Sequence, residues 1–222
     1  MKKLLLTVLL GTAGLSFAVM AQTMPGTGNQ NEQQKHQPTF GLKVGYNISK
    51  IAGSATNFDP NSKNGFMVGG FFSPFVKKGL GFRSEFIFSR TGHTFIADGI
   101  KNDVTTDYIY LPQLTTFTIG KFLQLQAGGQ MGILVKTFTQ GNYTPESKNG
   151  LMDFMNRIDY GFAGGAEVYP LKGLILGTRY NISFGNMYKC TETPGNPYPL
   201  PLVGTDLKSK NAVVQFFIGY KF

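Results

Sequence analysis

The sequence predicts an all-β protein, an antiparallel transmembrane β-barrel of about eight strands with short periplasmic turns and long extracellular loops. Three observations lead there. Long segments alternate apolar and polar residues with period two. The connections between those segments alternate long and short. Finally, only 15% of the residues are charged, while Gly (29), Phe (20) and Tyr (10) are abundant, which suits strands with one face toward lipid and a small, polar inner face.

The alternation is unbroken in the first segment, where Phe40, Leu42, Val44, Tyr46 and Ile48 interleave with Gly41, Lys43, Gly45, Asn47 and Ser49. It recurs with Leu123, Leu125, Ala127, Gly129, Met131, Ile133 and Val135 set against Gln124, Gln126, Gly128, Gln130, Gly132, Leu134 and Lys136. A third example sets Ile158, Tyr160, Phe162, Gly164, Ala166 and Val168 against Asp159, Gly161, Ala163, Gly165 and Glu167. Candidate strands cover 40–51, 64–75, 80–91, 105–119, 122–137, 157–169, 174–184 and 211–222. They are long for a soluble sandwich but match a tilted membrane strand, which needs about 9 to 11 residues in the bilayer.

Between them lie long connections at 52–63, 92–104, 138–156 and 185–210, and short ones at 76–79, 120–121 and 170–173. An even number of antiparallel strands then puts every long loop on one side and every tight turn on the other. A weak repeat relates Gly65-Phe66, Gly69-Gly70, Pro74 and Lys78-Gly79-Leu80 to Gly161-Phe162, Gly164-Gly165, Pro170 and Lys172-Gly173-Leu174, as two equivalent hairpins. The internal Pro112 removes a ladder donor and is expected to mark a bulge. The last strand carries Val214, Phe216, Ile218, Tyr220 and Phe222 on one face, and is expected to close the sheet on the first.

Ahead of the barrel, Met1-Lys2-Lys3, an apolar run from Leu4 to Leu10 and a small-residue stretch to Ala21 have the three zones of a cleavable signal peptide. Residues 22–39 contain too few apolar side chains to offset the entropy of ordering and read as a flexible polar leader, which leaves 40–222 for the barrel. After the signal there is no run of about 20 apolar residues for a helical anchor. A single cysteine, Cys190, excludes an internal disulfide framework. The net charge of +9 is scattered, with no basic helix and no RNA-binding aromatic motif, so it points to lipopolysaccharide phosphates and away from nucleic acid.

At this point the chain resembles the PorT-like outer-membrane β-barrel family of Bacteroidota. The resemblance is carried by FGLKVGYNISKI in the first strand, Tyr108-Ile109-Tyr110-Leu111-Pro112, the GGAEVYP hairpin and the terminal IGYKF. It implies a Gram-negative outer-membrane location, a porin-like barrel, and a terminal aromatic read by the barrel-assembly machinery during biogenesis. One class of members works in a secretion system.

Chemistry is sparse. No His, Cys and acidic cluster has metal spacing, no calcium-loop pattern occurs, the glycine pairs precede no helix, and no cofactor is expected. A lipid-modifying enzyme could use only His93 with Ser89 or a carboxylate. What stands out is a set of ionisable residues on inward faces, Lys43, Arg83, Glu85, Asp159, Glu167 and Arg179, which an eight-stranded lumen forces to pair with one another or with trapped water. The loop 185–210, stiffened by proline and carrying Tyr198 and Leu200, is the candidate partner loop. The reading is of a non-enzymatic envelope scaffold or accessory protein. Its expected partners are outer-membrane lipids, lipopolysaccharide and other envelope proteins. The alternative is a narrow channel or transport accessory, including a secretion-system component.

Overall fold

Side chains that alternate in the sequence stand on opposite sides of the sheet, and here the sheet curls until its outer face meets lipid and its inner face meets itself. The computed structural model describes residues 38–52, 62–74, 76–77, 79–97, 100–140, 152, 155–188 and 209–222. The chain divides into two units, Met1–Lys35 and His36–Phe222, and every described residue belongs to the second. The expected signal peptide, nearly all of the expected leader, Cys190 and the candidate loop residues Tyr198 and Leu200 lie outside the described residues.

The strands are β1 (Thr39–Ala52), β2 (Lys63–Ser73), the two-residue β3 (Val76–Lys77), β4 (Leu80–Ala97), β5 (Ile100–Ile119), β6 (Leu123–Gln140), β7 (Ile158–Val168), β8 (Leu174–Ser183) and β9 (Lys210–Lys221). Each long strand lies antiparallel to its neighbours in sequence, β3 extends the turn onto β4, and β2 pairs directly with β4. The ring is shut by β1 and β9, from Gly41 opposite Lys221 to Ala52 opposite Lys210. The eight long strands thus form a closed antiparallel barrel without a free edge, the arrangement that lets a sheet cross hydrocarbon with its amides paired.

Outward side chains make an apolar surface, including Leu42, Val44, Val68, Phe86, Leu125, Phe162, Leu176, Phe216 and Ile218. Aromatic residues gather toward both ends of the strands: Phe40, Phe117, Phe122, Tyr220 and Phe222 at the turn end, and Phe66, Phe138, Tyr160 and Phe184 at the loop end. These are the two levels where an amphipathic ring is stable between lipid and water. At the turn end Gly79 and Gly173 share a left-handed φ of 83° and 84°, in keeping with the repeat between their hairpins. At Gly173 a Cβ would also stand 2.6 Å from the Tyr220 ring.

Two expectations need correction. The connection expected at 92–104 is mostly strand, because β4 runs to Ala97 and β5 starts at Ile100, paired as far as Ala97 opposite Ile100. Threonine, valine and phenylalanine in this stretch favour extension, and the Thr91 and Thr106 hydroxyls hydrogen-bond across the arm at 2.9 Å. Over the 18 residues of β4, about 3.3 Å per residue and a tilt of about 40° give a rise on the order of 45 Å, so the hairpin projects beyond an apolar band of about 25 Å.

The bulge expected at Pro112 lies elsewhere. Pro112 falls where β4–β5 pairing lapses between Ser84 opposite Gln113 and Ile87 opposite Tyr110, with no change of register. The lost donor is accommodated by an unmade pair, and no residue is inserted. The register shift occurs at Asp107/Tyr108, which face Lys136 and Leu134 and leave Val135 as the extra residue of β6. Beyond a bulge the alternation changes phase. Lys136, placed inward by strict alternation, is therefore exposed on the outside, as are Val135 and Phe138.

Position on the barrel predicts the effect of a new charge. Phe162 faces outward opposite Gly129, midway along its strand pair, whereas Phe122 lies in the turn. Phe162→Arg is expected to cost about 2 to 4 kcal/mol in urea unfolding from vesicles, and Phe122→Arg at most about 1 kcal/mol. Equal losses would contradict this placement.

Candidate functional site

The inward positions of β1, β4, β6, β7 and β8 converge on a buried polar cluster. Lys43 on β1 reaches Glu85 on β4 and Glu167 on β7, each at 2.7 Å. Arg179 on β8 grips Glu85 through both terminal nitrogens, at 2.7 and 2.9 Å. Arg83 on β4 donates to both oxygens of Glu167 at 2.7 Å. Five charges therefore form one chain, Arg179, Glu85, Lys43, Glu167, Arg83, alternating in sign. In the barrel order β8 and β4 stand opposite each other, so the Arg179–Glu85 pair crosses the diameter of the lumen.

Amide and hydroxyl groups take up most of the remaining valences, though Arg179 Nε has no hydrogen-bond partner among the described residues. Gln126 on β6 accepts from Arg179 at 2.9 Å and donates to Glu167 at 3.2 Å. Gln124 accepts from Arg83 at 2.8 Å, the Tyr169 hydroxyl donates to Glu167 at 2.8 Å, and Arg83 Nε donates to Ser73 at 3.2 Å. Three cations against two carboxylates leave one positive charge in excess. Ring faces take up part of it: Lys43 lies 5.0 Å from the centre of Phe71 and 4.6 Å from that of Phe217, and Arg83 lies 4.3 Å from Phe71. Phe71 reaches the middle because it crosses Gly41, where a Cβ would come within 2.3 Å of its ring.

Of the six inward ionisable residues read from the sequence, the structure brings five together and places Asp159 apart. Asp159 accepts from the Tyr110 hydroxyl at 2.8 Å and from Ser183 at 2.7 Å, so hydroxyl groups hold its carboxylate and no cation is bonded to it among the described residues. Between the two groups is a small cavity lined by Ser89, Tyr110, Gln130, Arg179, Asn181 and Gln215, among others. It has room for about one water molecule.

Toward the loop end of the lumen an apolar cluster lies among buried polar residues such as Thr91, His93, Asn102 and Thr106. Val104, Tyr108, Leu134, Met155, Met187 and Tyr188 are buried in one cluster, with Met155 and Tyr188 bridging just past the ends of β7 and β8. Tyr188 reaches across to share a hydrogen bond with His93 Nε2, and burial pushes its hydroxyl pKa far up, so it remains protonated. Ser89, the residue considered as a nucleophile beside His93, is instead hydrogen-bonded by Asn47 at 2.9 Å.

Gln124, Gln126, Tyr169, Phe71 and Phe217 were not singled out from the sequence as members of the cluster. The glutamines share inward parity with the charges and could have been added on that ground. Phe217 falls on the face opposite Phe216 and could have been added by the same parity, whereas Phe71 could not, because apolar residues were assigned to lipid.

A cluster one positive charge in excess should tolerate the loss of a cation better than the loss of an anion. Glu85→Gln, which leaves Arg179 and Lys43 short of a partner, is expected to cost about 3 to 5 kcal/mol in urea unfolding, and Glu85→Gln with Arg179→Met to recover most of it. An additive or greater loss in the double variant would contradict the coupling.

The model of the outer membrane protein beta-barrel domain family matches residues 20–189, more than half of the chain. Among solved structures, the chain is similar to Ail, the attachment invasion locus protein of Yersinia pestis, at 13% identity and a TM-score of 0.48, covering 84% of this chain and 99% of that one. It is also similar to Neisserial surface protein A, at 12% identity and a TM-score of 0.46 over 83% and 97%, and to Escherichia coli outer membrane protein W, at 15% identity and 0.44 over 85% and 100%. No curated protein matches in sequence. The family model and the closed barrel point the same way: the chain belongs to the outer membrane protein beta-barrel domain family.

Proposed function

We propose that this protein is a non-conducting, non-enzymatic barrel that serves the outer membrane as an envelope scaffold, holding interaction surfaces at its loop end in contact with lipopolysaccharide and other envelope proteins. The observation that carries this reading is the salt bridge across the lumen. With Arg179 on Glu85 at 2.7 Å and both side chains out of contact with solvent, the middle of the barrel is occupied by charges that cannot move aside without losing their partners. A narrow channel would need that cluster to open, and a lipid-modifying enzyme would need His93 released from Tyr188 and turned toward a nucleophile. The arrangement favours neither.

The first strand, Tyr108-Ile109-Tyr110-Leu111-Pro112, GGAEVYP and IGYKF further support grouping the protein with PorT-like barrels of Bacteroidota, where an accessory role in secretion is one form such a scaffold takes. Its insertion is assigned to the barrel-assembly machinery. Among the connections, 185–210 is the one assigned to partner binding, since prolines reduce the entropy lost on ordering and Tyr198 and Leu200 offer amphipathic and apolar anchors.

Two measurements test the reading. In planar bilayers the purified protein is expected to give no discrete conductance steps, and steps abolished by boiling would favour the channel. Replacing residues 190–201 with a Gly-Ser linker is expected to keep the heat-dependent gel shift of a folded barrel while removing envelope proteins that co-purify in mild detergent. Survival of the full set of partners would show that this loop is not the binding element.

A further inference from the structure

The bulge at Val135 puts a second cation on the outside of the barrel, beside one already there. Arg90 on β4 faces outward and is held by Asp107 on β5, with Nε donating to Oδ1 at 2.7 Å and Nη2 to Oδ2 at 2.8 Å. That grip uses two of the five N–H donors of the guanidinium, and the Arg90 side chain remains 38% exposed while that of Asp107 is 7% exposed. The guanidinium sits over two outward rings, 5.4 Å from the centre of Phe66 and 5.7 Å from that of Phe138. From the other side Lys136 on β6 brings its ammonium to 4.3 Å from the centre of the same Phe138 ring. Phe66, Arg90, Asp107 and Lys136 follow one another across adjacent strands β2, β4, β5 and β6.

The height of this patch is informative. From Leu123 at the turn end, Lys136 stands on the order of 30 Å up the barrel, given about 3.3 Å per residue and a tilt of about 40°. An apolar band of about 25 Å ends just below it. Two outward cations, fixed by a shared ring and a carboxylate and carrying one positive charge in excess of Asp107, thus lie at the headgroup level of the outer leaflet.

We infer that Arg90, Lys136 and Phe138 form a binding site on the outer wall of the barrel for a phosphorylated sugar headgroup of an outer-leaflet glycolipid of the lipopolysaccharide class. Arg90 presents its free N–H groups to a phosphate oxygen, Lys136 adds a second point charge, and Phe138 and Phe66 lie against the upper part of an acyl chain. This rests on lipopolysaccharide being a partner of the scaffold, and it goes further by naming the residues and the chemical group they recognise.

The test uses the full chain refolded into phosphatidylcholine vesicles carrying lipid A with its phosphates, lipid A with its phosphates removed, or neither, with inorganic phosphate as a competitor. Bound glycolipid per barrel is measured after purification. Phosphorylated lipid A is expected to bind the natural protein, and each cation removed to weaken binding roughly fivefold. The variants are Lys136→Gln and the pair Arg90→Gln with Asp107→Asn, which leaves no lone carboxylate, while Lys136→Arg is expected to retain binding. If the pair fails to give the folded gel shift, Lys136→Gln decides, since its side chain is exposed. Unchanged binding by the variants, equal binding of dephosphorylated lipid A, or displacement by millimolar inorganic phosphate would each overturn the site. No binding of either lipid by the natural protein would overturn the lipopolysaccharide reading along with it.

Discussion

Hydrocarbon offers no partner to a backbone amide, and most of this structure follows from that constraint. A sheet can satisfy it only by closing, and closure here joins β1 to β9 over all of β9 and all but the first two residues of β1. A ring of eight strands leaves a lumen only wide enough for side chains. Those side chains come from positions that must alternate with lipid-facing ones, so they are the polar half of each strand. Ionised groups in so narrow a space have no water to turn to and must find each other across it. The chain of charges from Arg179 to Arg83 is the result, and the aromatic rings over Lys43 and Arg83 complete it where carboxylates run short.

The outer face obeys a looser rule, because lipid accepts almost any apolar shape. That looseness is why the strands were legible from alternation. Phe40 to Ile48 and Leu123 to Ile133 read correctly, since period two is imposed by the pleat itself. Alternation says nothing of phase errors, however, and the single residue Val135 was enough to turn Lys136 and Phe138 outward. Pro112 drew attention as the expected irregularity, but a missing donor can be absorbed by one unmade pair, while an inserted residue cannot.

The lumen was partly legible for a related reason. A charged residue on a polar face announces itself, and five of the six formed the cluster. Which charges meet depends on register between strands far apart in sequence, and that is set by turns and bulges that composition does not encode. Asp159 carries the same signal as Glu167 yet ends among hydroxyls, because Tyr110 and Ser183 stand at its height and the cations do not. The strands beyond Thr91 read as a loop because polar and glycine residues are common there, although β-branched residues keep them extended.

The charge chain also bears on the order in which the barrel is made. Its links span 42, 84, 94 and 124 residues; the shortest, Lys43 to Glu85, stays within the first half of the chain, and the other three join that half to Glu167 or Arg179 in the second. When only β1 to β4 are in place, Lys43, Arg83 and Glu85 are available without Glu167 or Arg179, and the partial sheet encloses no space in which to hold them. Three of the four links therefore form only once β7 and β8 have joined the ring, so the cluster is completed late. A partial ring can satisfy at most the Lys43–Glu85 pair, so an incomplete barrel is marked by exposed, unmatched charge on what will become its inner wall.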